Sequence, residues 1–399
     1  MTLKALIEGW SEQTRTAVAA RHVLAIQDTT EVHIRTKPGK RRGLGVAGKG
    51  NARGVLAHVM VGIDADNGTC LGLVTGEIYN RKGKAKIPHA KRAPEDRESK
   101  RWIETARAAK PILAQAATVT EMSDCEGDIY AKWASLAEPG FHMLTRLRHD
   151  RGVAEGGTLA TLMKPWPDRA TRTVALSATP KRKARTATLS LRFGEVEIRR
   201  PHGKGVGHLP ETVKLRIVEA IERDPPAGAE PVHWRLLTTH AVDDVDAAWR
   251  IVDWYRRRWN IEDLFRLMKA QGLQLEDSQV ESAERLMTVT AIAVHGACII
   301  LQLRQARDGR TDEPATNVVA AHEMPVLEAL NEKLEARNPT LKNPHPRHSL
   351  AWVAWIIARW GGWNGYRSSR PPGPITLRRG WEYFQVVAAG WRLREVCIP

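Results

Sequence analysis

The sequence predicts an α/β protein in which helices flank a mixed sheet, with an all-β insertion and a helical carboxyl-terminal region. Two apolar runs that each end in an aspartate indicate buried strands. From about residue 150 to 240, alternating and β-branched runs separated by Gly and Pro are typical of β-structure. Beyond residue 244 the apolar residues recur at the spacing of a helix.

The two strands that end in an acid are VLAIQD at 23–28 and ATVTEMSD at 117–124, which close on Asp28 and Asp124. In a mixed sheet these strands can lie side by side, so both carboxylates would meet at one edge. Cleavage of a phosphodiester by metal ions needs two or three carboxylates that converge in this way. The alternative is that each aspartate caps the turn that follows its strand.

The remaining elements follow from periodicity, turn residues and helix caps. In the first half we expect a helical segment at 1–21, a Gly- and Lys-rich mobile loop at 35–54, hairpin strands at 55–64 and 70–79 joined at Asp66-Asn67-Gly68, helices at 98–113 and 129–137, and a strand at 142–148. In the second half we expect a last sheet strand at 234–239, a helix from Asp244 or Asp246 to about Lys269, helices at 281–307, 326–337 and 349–360, and a final helix from Arg379.

Composition restricts the class of protein. Lys and Arg outnumber Asp and Glu by 61 to 45, which gives a net charge of +16 and favours a polyanionic partner, nucleic acid before an anionic membrane. No two of the four cysteines form a CxxC pair, which argues against a zinc ribbon. The apolar segment 286–303 contains polar residues and predicts a core helix rather than a membrane span. With no signal peptide evident, we expect a cytoplasmic, nucleoid-associated protein.

A third acid lies in the predicted helix that ends near Lys269. Tyr255, Arg258, Glu262 and Lys269 follow one another at steps of three, four and seven, which places them on one stripe of a continuous helix. An exposed ion-pair face, with Arg258 and Glu262 as an i,i+4 pair, is the alternative. It does not explain why Tyr255 and Lys269 share the stripe, whereas a metal-binding glutamate beside phosphate-binding side chains does.

These motifs carry a resemblance to a known family. Tyr, two residues, Arg, three residues, Glu, six residues and Lys is the signature of the cut-and-paste bacterial insertion-sequence transposases of the Tn-five type, the IS-four family. AIQDTT and SDCEGDIYA resemble that family's first and second aspartate motifs. The segments ESKRW, LSLRFGE, HWRLLTT, LQLR and SLAWVAWIIARWGG also have counterparts there, so the resemblance extends over nearly the whole chain.

The resemblance implies a DNA transposase with an RNase H-like fold, in which the β-rich insertion precedes the last catalytic helix. Asp28, Asp124 and Glu262 would be the catalytic acids and would bind two Mg²⁺ or Mn²⁺ ions. Cleavage would pass through a DNA hairpin before the ends are joined to target DNA, so the partner would be double-stranded DNA. The implied DNA contacts are Tyr255, Arg258 and Lys269 to phosphates, Trp234 to a flipped base, and Arg146.

Some of these roles have plain alternatives. Trp234 can be a packing tryptophan, since the chain has 14, and Arg146 can be a solvated surface charge. The resemblance also implies an amino-terminal DNA-recognition domain, for which the sequence ahead of Asp28 has room only for a short helix. An RNase H-like nuclease that cuts without joining, and a non-catalytic or inhibitory truncated transposase, are therefore alternatives.

The patterns and the resemblance together divide the chain into five segments. The last of them resembles the region that the family uses for dimerisation, which implies a homodimer in a DNA-bridged complex. The segments are a short amino-terminal helix at 1–21, the first part of the catalytic core at 22–149, the β-rich insertion at 150–233, the second part of the core at 234–310, and the helical dimerisation region at 311–399.

Overall fold

The computed structural model describes residues 2–33, 43–48, 52–81, 98–176, 183–203, 206–271, 273–277, 280–338, 341–366 and 368–396. Within this part of the chain ten strands form one mixed sheet, in the order β2-β3-β1-β5-β6-β10-β9-β8-β7, and β4 also pairs with β3, beyond the short pairing of β2. The strands are β1 (His22–His33), β2 (Gly45–Val46), β3 (Arg53–Asp64), β4 (Cys70–Tyr79), β5 (Thr118–Ser123), β6 (Phe141–Arg146), β7 (Ala170–Leu176), β8 (Arg185–Arg199), β9 (Thr212–Glu222) and β10 (His233–Thr238).

Helices flank the sheet on both faces. The two faces can be told apart along β1, where Val23 and Ala25 pack with one core cluster and Leu24 and Ile26 pack with the other, because side chains alternate along a strand. The helices are α1 (Leu3–Gly9), α2 (Glu12–Ala17), α3 (Lys100–Ala109), α4 (Tyr130–Leu136), α5 (Leu159–Met163), α6 (Val245–Arg256), α7 (Trp259–Arg266), α8 (Ala283–Ala306), α9 (Met324–Arg337), α10 (Leu350–Trp360) and α11 (Pro374–Val396).

The centre of the sheet is parallel. β1 pairs in parallel with β5, and β5 with β6, while β3 runs antiparallel to β1. Parallel strands that are covered on both faces are built from continuous apolar runs. The run from Val23 to Ile26 in β1 fits this rule, because all four of its side chains are fully buried. The α/β class, the mixed sheet and the helical carboxyl-terminal region expected from the sequence are confirmed.

The prediction that the first strand ends at Asp28 is wrong. β1 continues to His33, because residues 29–33 keep their backbone pairing with β3 as far as His33 opposite Gly54. Asp28 nevertheless lies just beyond the parallel ladder, whose last pair is Ile26 with Met122. The second strand ends at Ser123, one residue before the predicted end at Asp124.

The predicted helix from Asp244 to Lys269 is also corrected. α6 is capped by Asp244 as expected, but it ends at Arg256, α7 begins at Trp259, and Lys269 lies in a π-helical turn, Leu267–Gln271. The backbone tightens at the break, where the N–H groups of Arg257 and Arg258 bond to carbonyls three residues back rather than four. The predicted final helix begins at Pro374, five residues before Arg379, and the segment 1–21 forms two helices, α1 and α2, instead of one.

The insertion at 150–233 continues the central sheet, but the prediction that it is all-β is wrong, because α5 lies within it. β10 pairs with β6 on one side and with β9 on the other, so β9, β8 and β7 extend the same sheet outward. β7 then contacts α6, where Arg172 forms a bidentate ion pair with Asp253. The loop expected at 35–54 lies mostly outside the described residues, except for β2 and its neighbours.

One helix in the described part of the chain, α8, is long and apolar enough to cross a membrane, judged by length and composition alone. In the fold, 67% of its most apolar window is buried. It contacts β3, β4, α7, α10 and α11, and this is the arrangement of a core helix.

Three histidines cluster at the sheet end opposite to Asp124. His22 and His240 both hydrogen-bond to the Thr120 hydroxyl, at 2.8 and 2.6 Å, and His240 stacks on His142 with ring centroids 3.9 Å apart. Burial, reinforced by the neighbouring imidazoles of His142 and His22, lowers the pKa of His240 to about 3. The folded protein therefore holds these rings neutral.

We expect this cluster to make the fold sensitive to mild acid. The pKa of His240 is lower in the folded chain than in the unfolded chain. The stability that neutral His240 contributes is therefore complete above about pH 6.5 and is lost as the pH falls. By pH 5 the loss is about 2 kcal/mol. Urea unfolding of wild type and of His240→Gln at pH 7 and pH 5 gives the loss of unfolding free energy for each protein. The part due to His240 is the difference between the two losses, since other groups titrate in both proteins. Parallel pH dependences would contradict the expectation.

Candidate active site

Asp28 and Asp124 are neighbours because of the parallel pairing of β1 and β5. Each lies two residues beyond the last pair of that ladder, Ile26 with Met122. Asp124 begins a 3₁₀ turn (Cys125–Gly127) and accepts a hydrogen bond from the Glu126 N–H at 2.7 Å. The two carboxylates are close enough for the charge of Asp124 to raise the pKa of Asp28.

Two successive arginines at the break between α6 and α7 bind different partners. Arg257 donates to the backbone carbonyls of Asp64 and Asp66, at 2.7 and 2.8 Å, and so binds the β3–β4 hairpin. Arg258 is the N-cap residue of α7, and its side chain turns into the acidic site.

Arg258 joins two of the three predicted acids. Its Nη1 atom lies 3.2 Å from an oxygen of Asp28 and 3.2 Å from an oxygen of Glu262, so these oxygens are at most twice that distance apart. Asp28 and Arg258 have only 14% and 13% of their side chains exposed, whereas Glu262 is 38% exposed. Glu262 thus forms the solvent side of the site and Asp28 the buried side.

The site concentrates negative charge. Burial first, and the charge of Asp124 second, raise the pKa of Asp28 to about 7, although Arg258 and the Thr29 N–H oppose the shift. Such crowding of carboxylates costs free energy unless a cation compensates it. In the structure Arg258 supplies that compensation.

Lys269 approaches the same site from the π-helical turn. Its ammonium is largely buried, which lowers its pKa, and it interacts with the charges of Glu276, Glu31 and Glu262. π-helical turns within helices occur frequently at functional sites. Glu31 and Glu276 were not predicted as part of the site, because neither belongs to a recognisable motif.

An aromatic and basic wall completes the site. Tyr255 is buried and hydrogen-bonds to Arg146, and it interacts with the charges of Arg258 and Asp124. Trp234 packs edge-on against Tyr255, with ring centroids 6.0 Å apart. Arg146 closes β6 beside Asp124 and donates to the His233 carbonyl at 3.3 Å. All eight residues predicted from the sequence are therefore connected by contacts or charge interactions.

Two nearby acids differ from these. Asp128 accepts hydrogen bonds from the N–H groups of Arg148 and His149 and forms an ion pair with Arg151, so it is fully engaged in holding its loop. Glu126 is exposed, and burial together with the charge of Asp124 raises its pKa. Neither residue points to a catalytic role.

Trp259 was not predicted as a site residue. It lies one turn before Glu262, next to Arg258, and is 46% exposed. The only signal in the sequence is its place between the two motif residues. An exposed indole beside an acidic site provides a surface on which a nucleobase can stack.

The donor set matches a hard divalent cation. Asp28, Asp124 and Glu262 offer only carboxylate oxygens, which are the ligands that Mg²⁺ and Mn²⁺ prefer. Among the described residues, no three His, Cys, Asp or Glu side chains are already arranged as a metal cage. Arg258 Nη1 lies between Asp28 and Glu262, so a cation would take over the charge compensation that the guanidinium now provides.

Comparison with known proteins gives a distant likeness. No family model matches the sequence. Among solved structures, the chain is similar to a piggyBac transposase synaptic complex with hairpin DNA, at 10% sequence identity and a TM-score of 0.39. The match covers 74% of this chain and 50% of that chain, so it spans about half the length of the transposase.

Removing the guanidinium should destabilise the protein most at high pH. We expect Arg258→Met to cost about 3 kcal/mol at pH 8, because Asp28 and Glu262 lose their shared partner. The cost should fall at pH 6, where Asp28 takes up a proton. Arg266→Met on the same helix removes an exposed pair with Asp263 and should cost less than about 1 kcal/mol at either pH. Urea unfolding at both pH values checks this, and an equal loss at both would contradict it.

Proposed function

We propose that the protein is a DNA transposase of the cut-and-paste type with an RNase H-like core, and that Asp28, Asp124 and Glu262 are its catalytic acids. The observation that carries the proposal is the convergence of these acids with Tyr255 and Arg258 around one partly buried point. One acid lies within β1, one lies just after β5 and one lies on α7, and two-metal phosphodiester chemistry requires such a convergence of carboxylates. The net charge of +16 favours the DNA partner.

Each of these side chains would have a separate role. Asp28, Asp124 and Glu262 would hold two divalent ions, which when bound activate the attacking oxygen and stabilise the leaving oxygen of the scissile phosphate. Arg258 is then free to donate its fork of N–H groups to a phosphate. Lys269 adds a second cation near Glu262, and Tyr255 fixes Arg146 beside Asp124.

The joining reaction and the hairpin route are the finer part of the proposal. The exposed Trp259 and the half-buried Trp234 are the available stacking surfaces for an unpaired base at a hairpin tip. Trp234 is held by Tyr255, so Trp259 is the more accessible of the two. A nuclease that cuts but does not join would use the same acids and is distinguished by the fate of the cut end.

The acids should be needed for cutting and joining alike. We expect Asp28→Asn, Asp124→Asn and Glu262→Gln each to lower Mn²⁺-dependent cleavage at least about a hundredfold, since each removes roughly 3 kcal/mol of transition-state stabilisation. Glu126→Gln, two residues from Asp124, is the matched control and should retain activity. The assay follows end-labelled duplexes carrying the DNA that borders the gene, with plasmid as target.

The products separate the candidate functions. Label that enters the plasmid supports transposition, whereas cut ends that never enter it indicate a nuclease. Cleavage that is unaffected by Glu262→Gln would contradict the assignment of the acids. Binding without any cleavage would support a non-catalytic DNA-binding protein.

We also propose that two copies assemble on DNA through α11. One side of this helix exposes Ile375, Tyr383, Val386 and Leu393, which at 100° per residue fall within about a quarter of its circumference. Val386 is 74% exposed. An apolar stripe of this kind on a terminal helix is suited to a second copy of the same helix.

Charge placed in the stripe should prevent pairing. We expect Val386→Glu to convert a two-protein DNA complex to a one-protein complex in analytical ultracentrifugation. Ile292→Glu, at an exposed apolar position on α8, is the control and should leave the complex unchanged. An unchanged sedimentation coefficient for Val386→Glu would argue against pairing through α11.

A further inference from the structure

A buried polar network lies beneath the two aspartates, on the other face of the sheet. Gln27 and Thr29 flank Asp28 on β1, and Ser123 precedes Asp124 on β5. Because side chains alternate along a strand, Gln27 and Thr29 face α3 and α4 while Asp28 faces α7. Each aspartate is thus the immediate neighbour in the chain of a residue that belongs to this network.

The centre of the network is an ion pair with no solvent exposure. Lys132 Nζ, from α4, lies 2.9 and 3.1 Å from the two carboxylate oxygens of Glu121 on β5. The Gln27 amide donates to Glu121 at 2.6 Å and to the Trp102 carbonyl at 3.0 Å. The Gln27 carbonyl oxygen is bonded to His58, at 2.9 Å.

One arrangement of protons satisfies the β1 side. Burial lowers the pKa of His58 to about 3, so its ring is neutral and carries one N–H. Nε2 donates to Gln27, and Nδ1 accepts from the Thr29 hydroxyl at 2.7 Å. The residues on both sides of Asp28 are therefore fixed by the same imidazole.

The β5 side is fixed through Lys132. Its ammonium donates to the Ser123 hydroxyl, which is bonded to the Thr145 hydroxyl of β6 at 3.2 Å. Gly127, in the turn after Asp124, packs directly on this contact. A Cβ atom there would collide with the Ser123 side chain and lie 3.1 Å from Lys132 Nζ. The turn that begins at Asp124 can close over the network only with glycine.

Stability does not account for such a pair. A fully buried ion pair recovers little more than its own desolvation cost, and apolar replacements of similar volume are often neutral or stabilising. Its position is informative, because Glu121 pairs with Ala25, one residue before the β1–β5 ladder ends at Ile26 and Met122. Beyond that point the network is what ties Gln27 on β1 to Glu121 and Ser123 on β5.

We infer that Glu121 and Lys132 are positioning residues, which fix Asp28 and Asp124 at the separation needed to share a divalent cation. This inference rests on the proposed function. The pair does not touch DNA or the cation and acts through Gln27 and Ser123. The inference predicts that apolar replacements of the pair will keep or raise the stability of the protein but will weaken its affinity for the cation.

The test is the double variant Glu121→Leu/Lys132→Met, which removes both charges and leaves no buried charge alone. Gln27 keeps the Trp102 carbonyl and Ser123 keeps Thr145 as partners. We expect a urea midpoint equal to or above that of wild type, and a Mn²⁺ affinity, measured by calorimetry without DNA, at least tenfold weaker. A stable double variant with wild-type Mn²⁺ affinity would overturn the inference.

Controls separate the possible failures. Arg185→Met/Glu222→Gln removes a less buried ion pair in the insertion and should leave Mn²⁺ affinity unchanged. Ser123→Ala breaks one link without altering charge; it should weaken Mn²⁺ binding at least threefold even if the double variant does not fold, and an unchanged affinity would count against the positioning role. If Asp28→Asn removes no Mn²⁺ binding from the wild-type protein, the proposed function itself fails.

Discussion

The candidate site depends on compensation of negative charge at a point where two strands and a helix meet. The parallel pairing of β1 and β5 forces Asp28 and Asp124 together, and α7 adds Glu262. Without a positive charge between them, these carboxylates would repel one another in a partly buried place. Arg258 occupies that position with one nitrogen equidistant from two of the acids. Arg258 reaches them from the N-cap position of α7, at the break between the two helices.

The sequence predicted the participants better than the path of the chain between them. Apolar runs identified β1 and β5, and motif spacing identified the residues from Tyr255 to Lys269. The break after Arg256 could not be predicted, because arginine is a good helix former and no Gly or Pro marks the position. At the break Arg257 bonds to the β3–β4 hairpin, 193 and 191 residues away in sequence, and such a contact cannot be seen in the local sequence. The length of β1 likewise depends on β3, which supplies pairing beyond Asp28.

The β-rich segment is mechanically part of the site. It is continuous with the central sheet through β10, whose pairing with β6 places Leu236 opposite Arg146. At its far edge β7 returns to α6 through Arg172 with Asp253 and through Arg256 with the Ala175 carbonyl. The insertion therefore contacts both the strand that carries Arg146 and the helix that carries Tyr255. Periodicity in the sequence could not indicate these contacts, because they join elements that are far apart along the chain.

The opposite signs of the global and local charge have a consequence for the order of events on DNA. At long range the net charge of +16 attracts the phosphate backbone, and this attraction weakens as salt is added. At the site itself, a phosphate that approaches Asp28, Asp124 and Glu262 is repelled unless positive charge faces it. Arg258 cannot neutralise the acids and bind a phosphate with the same N–H groups. In the function proposed here, divalent ions at the acids would release it, so DNA would bind the surface without them but would enter the site only with them.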